Sequence, residues 1–410
     1  MAFTGLNTYS QYWPQWRGPD ANGIAAPGDY PVEFSPEDDL LWKVELPGKG
    51  GSTPIIWEDR LFITCGIGVK EEGEDGVLCF DLNGKLLWQT GLGPQKAGKH
   101  PRGSGSAPSV VTDGERLFAF FKSSTLAALD MDGNILWKTK LEEDYGEISY
   151  FWDMGSSPVL ADDKVIIPVM HEGDSYILAL DQASGEEAWK IDRNYSCNVE
   201  SAQSYTTPIV RKDVDGTRII VWGADHLTEH KAETGEMIWE CGGFNPDNKR
   251  YWRTIASAIL YNDIVVVPYG RGRLLRGIRI GGSGDISDKA VLWEKDRIGT
   301  DVATPLASNG RVYILGFGGK IWCLDIETGE ELWEFQLPGV NGMFYSSPTL
   351  AGNKLYMISE NGVFFVCEIG ASGLEILHQT TFEDNFVATP VLSGDRIYLR
   401  GNRNLYCIGK

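Results

Sequence analysis

The chain has no surplus of positive charge. Its 37 Lys and Arg stand against 57 Asp and Glu, giving a net charge of −20 over 410 residues. Nucleic acid is therefore not expected as a bulk partner, because phosphate binding needs a basic surface. No apolar run approaches the ~18–20 residues that cross a bilayer as a helix, and no transmembrane segment is expected. The opening Met1-Ala2-Phe3-Thr4-Gly5 lacks the basic stretch and apolar core of a signal peptide. Two settings remain: the cytoplasm, or export with the leader already removed. The seven cysteines include no Cys-x-x-Cys and no haem-attachment pattern, which argues against metal or haem held by cysteine.

What the sequence does have is a repeat. Strands ending in Trp recur at Trp42, Trp88, Trp137, Trp189, Trp239, Trp293 and Trp333, and a Pro heads a strand at Pro54, Pro108, Pro158, Pro208, Pro305, Pro348 and Pro390. Periods of roughly 40–55 residues are those of propeller blades and other arrays. Between one Pro and the next Trp lie an apolar strand, a tight polar turn, a second and a third strand. A Gly-containing turn follows (Asn83-Gly84, Asp132-Gly133, Ser184-Gly185, Thr234-Gly235, Thr328-Gly329, Ser372-Gly373), then the Trp strand. Each repeat thus predicts four antiparallel strands, one propeller blade.

The two ends complete each other. The last repeat, from Pro390 to Ile408, stops after three strands, and the first Trp strand, residues 40–44, has no three strands before it. The expectation is an all-β, eight-bladed propeller over residues 40–410 whose N-terminal strand closes the last blade, with residues 1–39 as an extension strapped to the outside of the ring. Closure of this kind hides two sheet edges. Blade five carries Ala258 in the Pro position and a longer connection over residues 281–289, and blade seven has Leu377 in place of Trp. Both read as local variation. Cys79, Cys323, Cys367 and Cys407 share one third-strand position where blades two and three have Ala128 and Ala179, so they read as small buried packing residues.

The segments Ala179-Leu180-Asp181 through Trp189 and Cys323-Leu324-Asp325 through Trp333 resemble the pyrroloquinoline-quinone (PQQ)-type repeat over about residues 40–410. Trp13-Pro14-Gln15-Trp16-Arg17-Gly18-Pro19-Asp20 resembles the short extension that precedes such propellers in many bacterial members. The resemblance implies an indole packed between adjacent blades, and a periplasmic or secreted setting. It also implies two kinds of function, quinone-dependent dehydrogenases and non-catalytic relatives that include the outer-membrane assembly lipoprotein. The dehydrogenases commonly have two adjacent cysteines over the quinone and a Glu/Asn/Asp calcium site. Here no two cysteines are adjacent and the calcium ligands find no residue-by-residue match, so no cofactor is expected, neither PQQ nor calcium.

Loop lengths choose a face. Turns between first and second strands (Glu58-Asp59, Asp162-Asp163, Asn262-Asp263, Gly352-Asn353) and between third and fourth strands are short and share one face, while the other connections are long and share the opposite one. Binding residues concentrate on long loops over a rigid scaffold. The blade-to-blade loops offer His100, Arg102, Trp152, Asp153, Glu200, Gln203, Tyr205, Arg250, Tyr251, Trp252, Arg253, Asp301 and Tyr345, and the loops within blades add His171, Glu172, Asp225, His226, Tyr269, Arg271 and Arg273. Three readings compete for this face. In the first, the arginines of blade five take an anionic or glycan-like small molecule with Trp152, Tyr251 and Trp252 as stacking surfaces; against it, those arginines simply pair with neighbouring carboxylates such as Asp247. In the second, His171 with Glu172 and Asp225 with His226 act as acid/base pairs, or bind metal with Glu200, in a polysaccharide lyase, a hydrolase or a PQQ-dependent dehydrogenase. In the third, the face is a protein-interaction platform. A non-catalytic, monomeric binding or scaffold propeller is the leading expectation, because the quinone-site marks are missing, and the lack of any nucleophile or phosphate-loop motif fits it.

Overall fold

A computed structural model describes residues 12–68, 73–96, 98 and 103–409. Eight small antiparallel sheets form a ring, an eight-bladed β-propeller. Blade one comprises Ile55–Trp57, Arg60–Ile67, Glu74–Asp81 and Leu86–Pro94, and the same up-and-down order repeats through blade seven, which ends on Leu374–Thr381. Blade eight is Val391–Ser393, Arg396–Arg400 and Asn404–Ile408, completed by Leu40–Glu45 in antiparallel register from Leu40↔Ile408 to Glu45↔Asn404. The closure expected from the two incomplete ends is present.

The Trp–Gly series has one mechanical explanation. In blades one, two, three, five and eight the indole Nε1 donates to a carbonyl near the third–fourth turn of the following blade: Trp42 to Leu82 O, Trp88 to Met131 O, Trp137 to Gln182 O, Trp189 to Ala232 O and Trp293 to Ile326 O, all at 2.8–3.0 Å. The glycine of that turn lies beneath the ring. At Gly133 (φ +85°) a Cβ would stand 2.6 Å from the Trp88 indole, so both the left-handed backbone and the close approach demand glycine. Gly373, although part of a similar dipeptide, has neither a positive φ nor an indole above it.

This docking rule explains why Leu377 replaces Trp. An indole on blade seven would need a third–fourth turn in blade eight, and blade eight has none, because its fourth strand arrives from the other end of the chain. His378 instead bonds Phe34 O at 2.7 Å, its ring 5.1 Å from that of Phe34, and the extension covers the seam. Blade five is likewise more than variation. Its long connection lays Gly284–Asp285 in parallel against Met237–Cys241, giving blade four a fifth strand, while Trp239 turns its Nε1 to Glu229 Oε2 at 2.5 Å in its own blade.

Two other expectations need correction. Pro108 does not occupy the position of Pro54: strand pairing aligns Val111 with Ile55, which puts Ser109 level with Thr53 and Pro108 upstream of the strand. The extension is also not confined to the outside. Trp13 bridges Ile56 in the innermost strand of blade one, Thr112 N donates to Pro14 O, Arg17 donates to Thr304 O and Pro305 O of blade six, and Ala25 N donates to Leu350 O of blade seven. Trp13 and Arg17 are buried. Residues 13–25 therefore cross the central channel and plug it, and only the following stretch runs outward past Asp395 to Phe34. The side-chain chemistry accounts for this: two indoles and a long fork of donors fill a channel lined by backbone carbonyls. The seven cysteines are free thiols, and the four at the shared position are fully buried.

Candidate functional site

One hydroxyl per blade stands where the first strand begins: Thr53, Ser109, Ser157, Thr207, Ser257, Thr304, Ser347 and Thr389. At seven of the eight junctions the backbone N–H of one residue donates to the hydroxyl of the next blade, at 2.9–3.2 Å. This belt closes the ring at the long-loop end of the channel. Net contributions of about 0.5–1.5 kcal/mol per bond make it a substantial seam. The Ser/Thr before most of the strand-heading prolines was its sequence signal, but pattern alone did not show that the hydroxyls meet.

With the plug below and the long loops above, the channel becomes a blind cup of about 350 Å³. The hydroxyl belt surrounds it, and Trp16 of the plug contributes to its lining. Its wall carries six of the residues singled out from sequence: Trp152, Asp153, Tyr205, Arg253, Asp301 and Tyr345. Phe317, Val387, Met154 and Ile255, not singled out, complete a mostly apolar lining.

The charged groups of the wall are matched within it. Arg253 Nη2 lies 3.0 Å from Asp301 Oδ2 and its Nη1 3.6 Å from Glu200 Oε2, with the guanidinium 5.6 Å from the Trp152 ring centre. Arg271 Nη2 meets Glu200 Oε2 at 3.0 Å, and Lys122 pairs with Asp153. Burial raises the Asp301 carboxyl above its usual range, and Arg253 then Arg271 pull it back. The expectation that the arginines pair with carboxylates holds for Arg253 and Arg271, but the partners are Glu200 and Asp301; Asp247 pairs with Lys249 at 3.2 Å.

Other candidates support the wall. Gln203 is fully buried, accepting from Tyr205 Oη at 2.7 Å and Phe151 N at 2.8 Å and donating to Glu172 Oε1 at 2.8 Å. His171 is buried and its Nδ1 accepts from Ser149 N at 3.2 Å. Asp225 is bonded by Tyr269 Oη and by Asn245 Nδ2 at 3.3 Å, and burial pushes its carboxyl up to about 6. His226 turns to Ala224 O at 2.8 Å and stacks on Tyr195, with ring centroids 3.7 Å apart. Neither imidazole therefore forms an acid/base pair with the carboxylate beside it in sequence. Among the described residues no group of three or more His, Cys, Asp or Glu is arranged to hold a metal. Trp252 is half-buried, packed edge-on to Tyr269 against the core shared by blades four and five, with Lys249 4.3 Å over one face of its ring. Arg250, Tyr251 and Arg273 are exposed on the lip. His100 and Arg102 lie outside the described residues.

The cysteine marks that the resemblance associates with a quinone are missing from the cup lining, and one oxygen each of Asp153 and Asp301 is paired, with Lys122 and Arg253.

Fold and site together define an eight-bladed PQQ-type propeller with a plugged channel. The family model described as outer membrane protein assembly factor BamB matches residues 34–167, 73–240 and 283–372, more than half of the chain. The chain belongs to that family. BamB of Yersinia pestis is 21% identical over 280 residues, 68% of this chain and 55% of that protein; the chain thus spans about half the length of this relative. BamB of Moranella endobia is 21% identical over 380 residues, 90% of this chain and 78% of that one. In structure, a europium-containing methanol dehydrogenase superposes with TM-score 0.72 at 11% identity, covering 98% of both chains. BamB of Moraxella catarrhalis superposes with TM-score 0.62 at 14% identity, covering 90% of this chain and 99% of that one. At such identity the structural likeness speaks for the fold alone. No helix among the described residues is long and apolar enough to cross a membrane.

Proposed function

We propose that this chain is a non-catalytic protein-interaction scaffold whose working surface is the long-loop face around the cup. The observation that carries the reading is the exposure there of bulky side chains that a folded chain normally buries. Phe151 is 53% exposed, Tyr251 54% and Met343 38%, all on loops of this face, beside exposed Arg250, Arg271 and Arg273. Aromatic residues, Met and Arg are the types enriched at protein interfaces, and Arg and the larger aromatics dominate their binding energy. The relatives' own name, an assembly factor, points the same way.

Two features weigh against catalysis. A lyase or hydrolase needs an acid/base pair aimed at bound substrate, and His171 and His226 are committed to backbone partners. A small anionic ligand in the cup would meet guanidinium charge already balanced by carboxylates.

The test compares two faces. The chain is expected to elute in a high-mass complex from an extract of its source cells on size-exclusion chromatography, and Phe151→Asp combined with Tyr251→Asp should abolish that complex. Val214→Asp, at a 95%-exposed turn of the opposite face, should leave it intact. Complex formation indifferent to the first pair, or dye-linked alcohol oxidation on addition of PQQ and Ca²⁺, overturns the reading.

A further inference from the structure

The lip of the cup in blade five has unbalanced positive charge in a chain that is otherwise acidic. Four arginines stand there. Arg253 and Arg271 are matched by Glu200 and Asp301. Arg250 and Arg273 are exposed, and neither has a carboxylate within ion-pair distance among the described residues. Glu200 is buried and already shared by two guanidinium groups, and Asp247 is taken by Lys249. The lip is also continuous with the cup: Arg271 Nε donates to Tyr251 O at 2.8 Å, and Arg250 lies over the Tyr251 ring at 5.7 Å. From Arg271 the contacts run through Glu200 to Arg253 in the cup wall.

The two halves of this surface ask for different chemistry. Planar guanidinium forks without partners suit carboxylates. The cup beside them is internally charge-balanced and walled by Trp16, Trp152, Phe317 and Val387, so it favours an uncharged, bulky apolar group. At about 350 Å³ it sits near the lower end of ligand-cavity sizes (roughly 300–1,000 Å³), enough for one large side chain and its backbone. A polyuronate supplies the carboxylates but no apolar anchor; a peptide supplies both.

Resting on the reading of this face as a protein-binding surface, we infer that the blade-five lip and cup together bind an acidic segment of a partner protein. One bulky apolar side chain of that segment enters the cup, and flanking carboxylates lie on Arg250 and Arg273.

The test uses the whole chain and fluorescein-labelled peptides of the pattern Glu-Asp-Phe-Glu-Asp, read by anisotropy. Controls replace Phe by Ala, or every acid by Lys. The acidic Phe peptide should bind roughly ten-fold or more tighter than either control, and should weaken as salt rises from about 50 to 300 mM. Arg250→Glu with Arg273→Glu should lower its affinity by roughly ten-fold; both residues are solvent-exposed, so circular dichroism and melting should not change. Equal binding of the Lys peptide, or indifference to the double substitution, overturns the inference, as does a polyuronate oligomer that binds more tightly than the peptide. A peptide failure alongside a complex still broken by Phe151→Asp and Tyr251→Asp rejects the partner chemistry and leaves the interaction surface standing.

Discussion

Trp88 and Gly133 constrain each other, and the pair shows how single residues hold the ring. Gly133→Ala adds a Cβ at a left-handed φ and 2.6 Å from the indole, so a loss of about 2–3 kcal/mol is expected in chemical denaturation. In a Trp88→Ala background the same change should cost less, about 1–2 kcal/mol, because the indole clash is gone and only the backbone part and the 2.9 Å approach to Thr90 Oγ1 remain; strict additivity would contradict the contact. His230 makes a pH prediction. It lies buried between Gly235 O (2.9 Å) and Thr228 Oγ1 (3.0 Å), and burial pushes its imidazole down to about 4. The folded value lies below the unfolded ~6.5, so its contribution is complete above pH 6.5 and lost as pH falls toward 4. Wild type should lose on the order of 2 kcal/mol more than His230→Gln between pH 7 and 4.5. An unchanged pH slope in the variant would contradict this. Asp225 acts in the opposite direction, its raised carboxyl disfavouring the fold as pH climbs from ~4 through about 6, which is why the difference between the two proteins, not the raw curve, is the readout.

Among the elements, the belt of hydroxyls and the plug do the work of a closure ring. Thr304 accepts from Ser257 N at 3.0 Å. Thr304→Val keeps shape but strands that buried N–H, for an expected loss of about 1–3 kcal/mol, while Thr304→Ser should be nearly neutral. Arg17 ties the plug to blade six through two carbonyls and to Asn22 O within the plug itself. Arg17→Ala should cost roughly 2–4 kcal/mol by leaving carbonyls unpaired and a void in the channel. An unchanged melting midpoint would mean that the plug is not integral to the ring. The elements were also where the sequence was most legible. Period, Gly turns and the two incomplete ends dictate eight blades and their closure, because each blade repeats the same local rule. The plug escaped because Trp13 to Asp20 carries no periodicity: nothing local says which of two apolar surfaces, channel or outer rim, an indole will choose. Pro108 misled for a related reason, since a proline two residues early still looks like the head of a strand.

Across the whole molecule, scaffold and site separate by face. The Trp, Gly and Cys marks build the blades, and the chemistry-bearing residues gather where the repeat leaves loop length free. Sequence pointed to the long-loop face, and six of its twenty candidate residues line the cup there. It could not say that His226 turns to Ala224 and Tyr195, that Trp252 packs against the core, or that Arg253 pairs with residues 48 and 53 positions away, because such pairings are set by loop paths between blades. The remaining exposed apolar residues fall mostly at the starts of fourth strands, as Leu41, Leu87 and Leu136 do, spread one blade apart around the rim and not gathered into a patch. Phe151, Tyr251 and Met343 are the exposed bulky apolar residues on the long loops. The most direct measurement is photo-cross-linking in the source cells with benzoylphenylalanine placed at Tyr251 on one face and at Val214 on the other. The account predicts a discrete cross-linked protein product from position 251 and none from position 214; products from 214 alone, or equally from both, would contradict it.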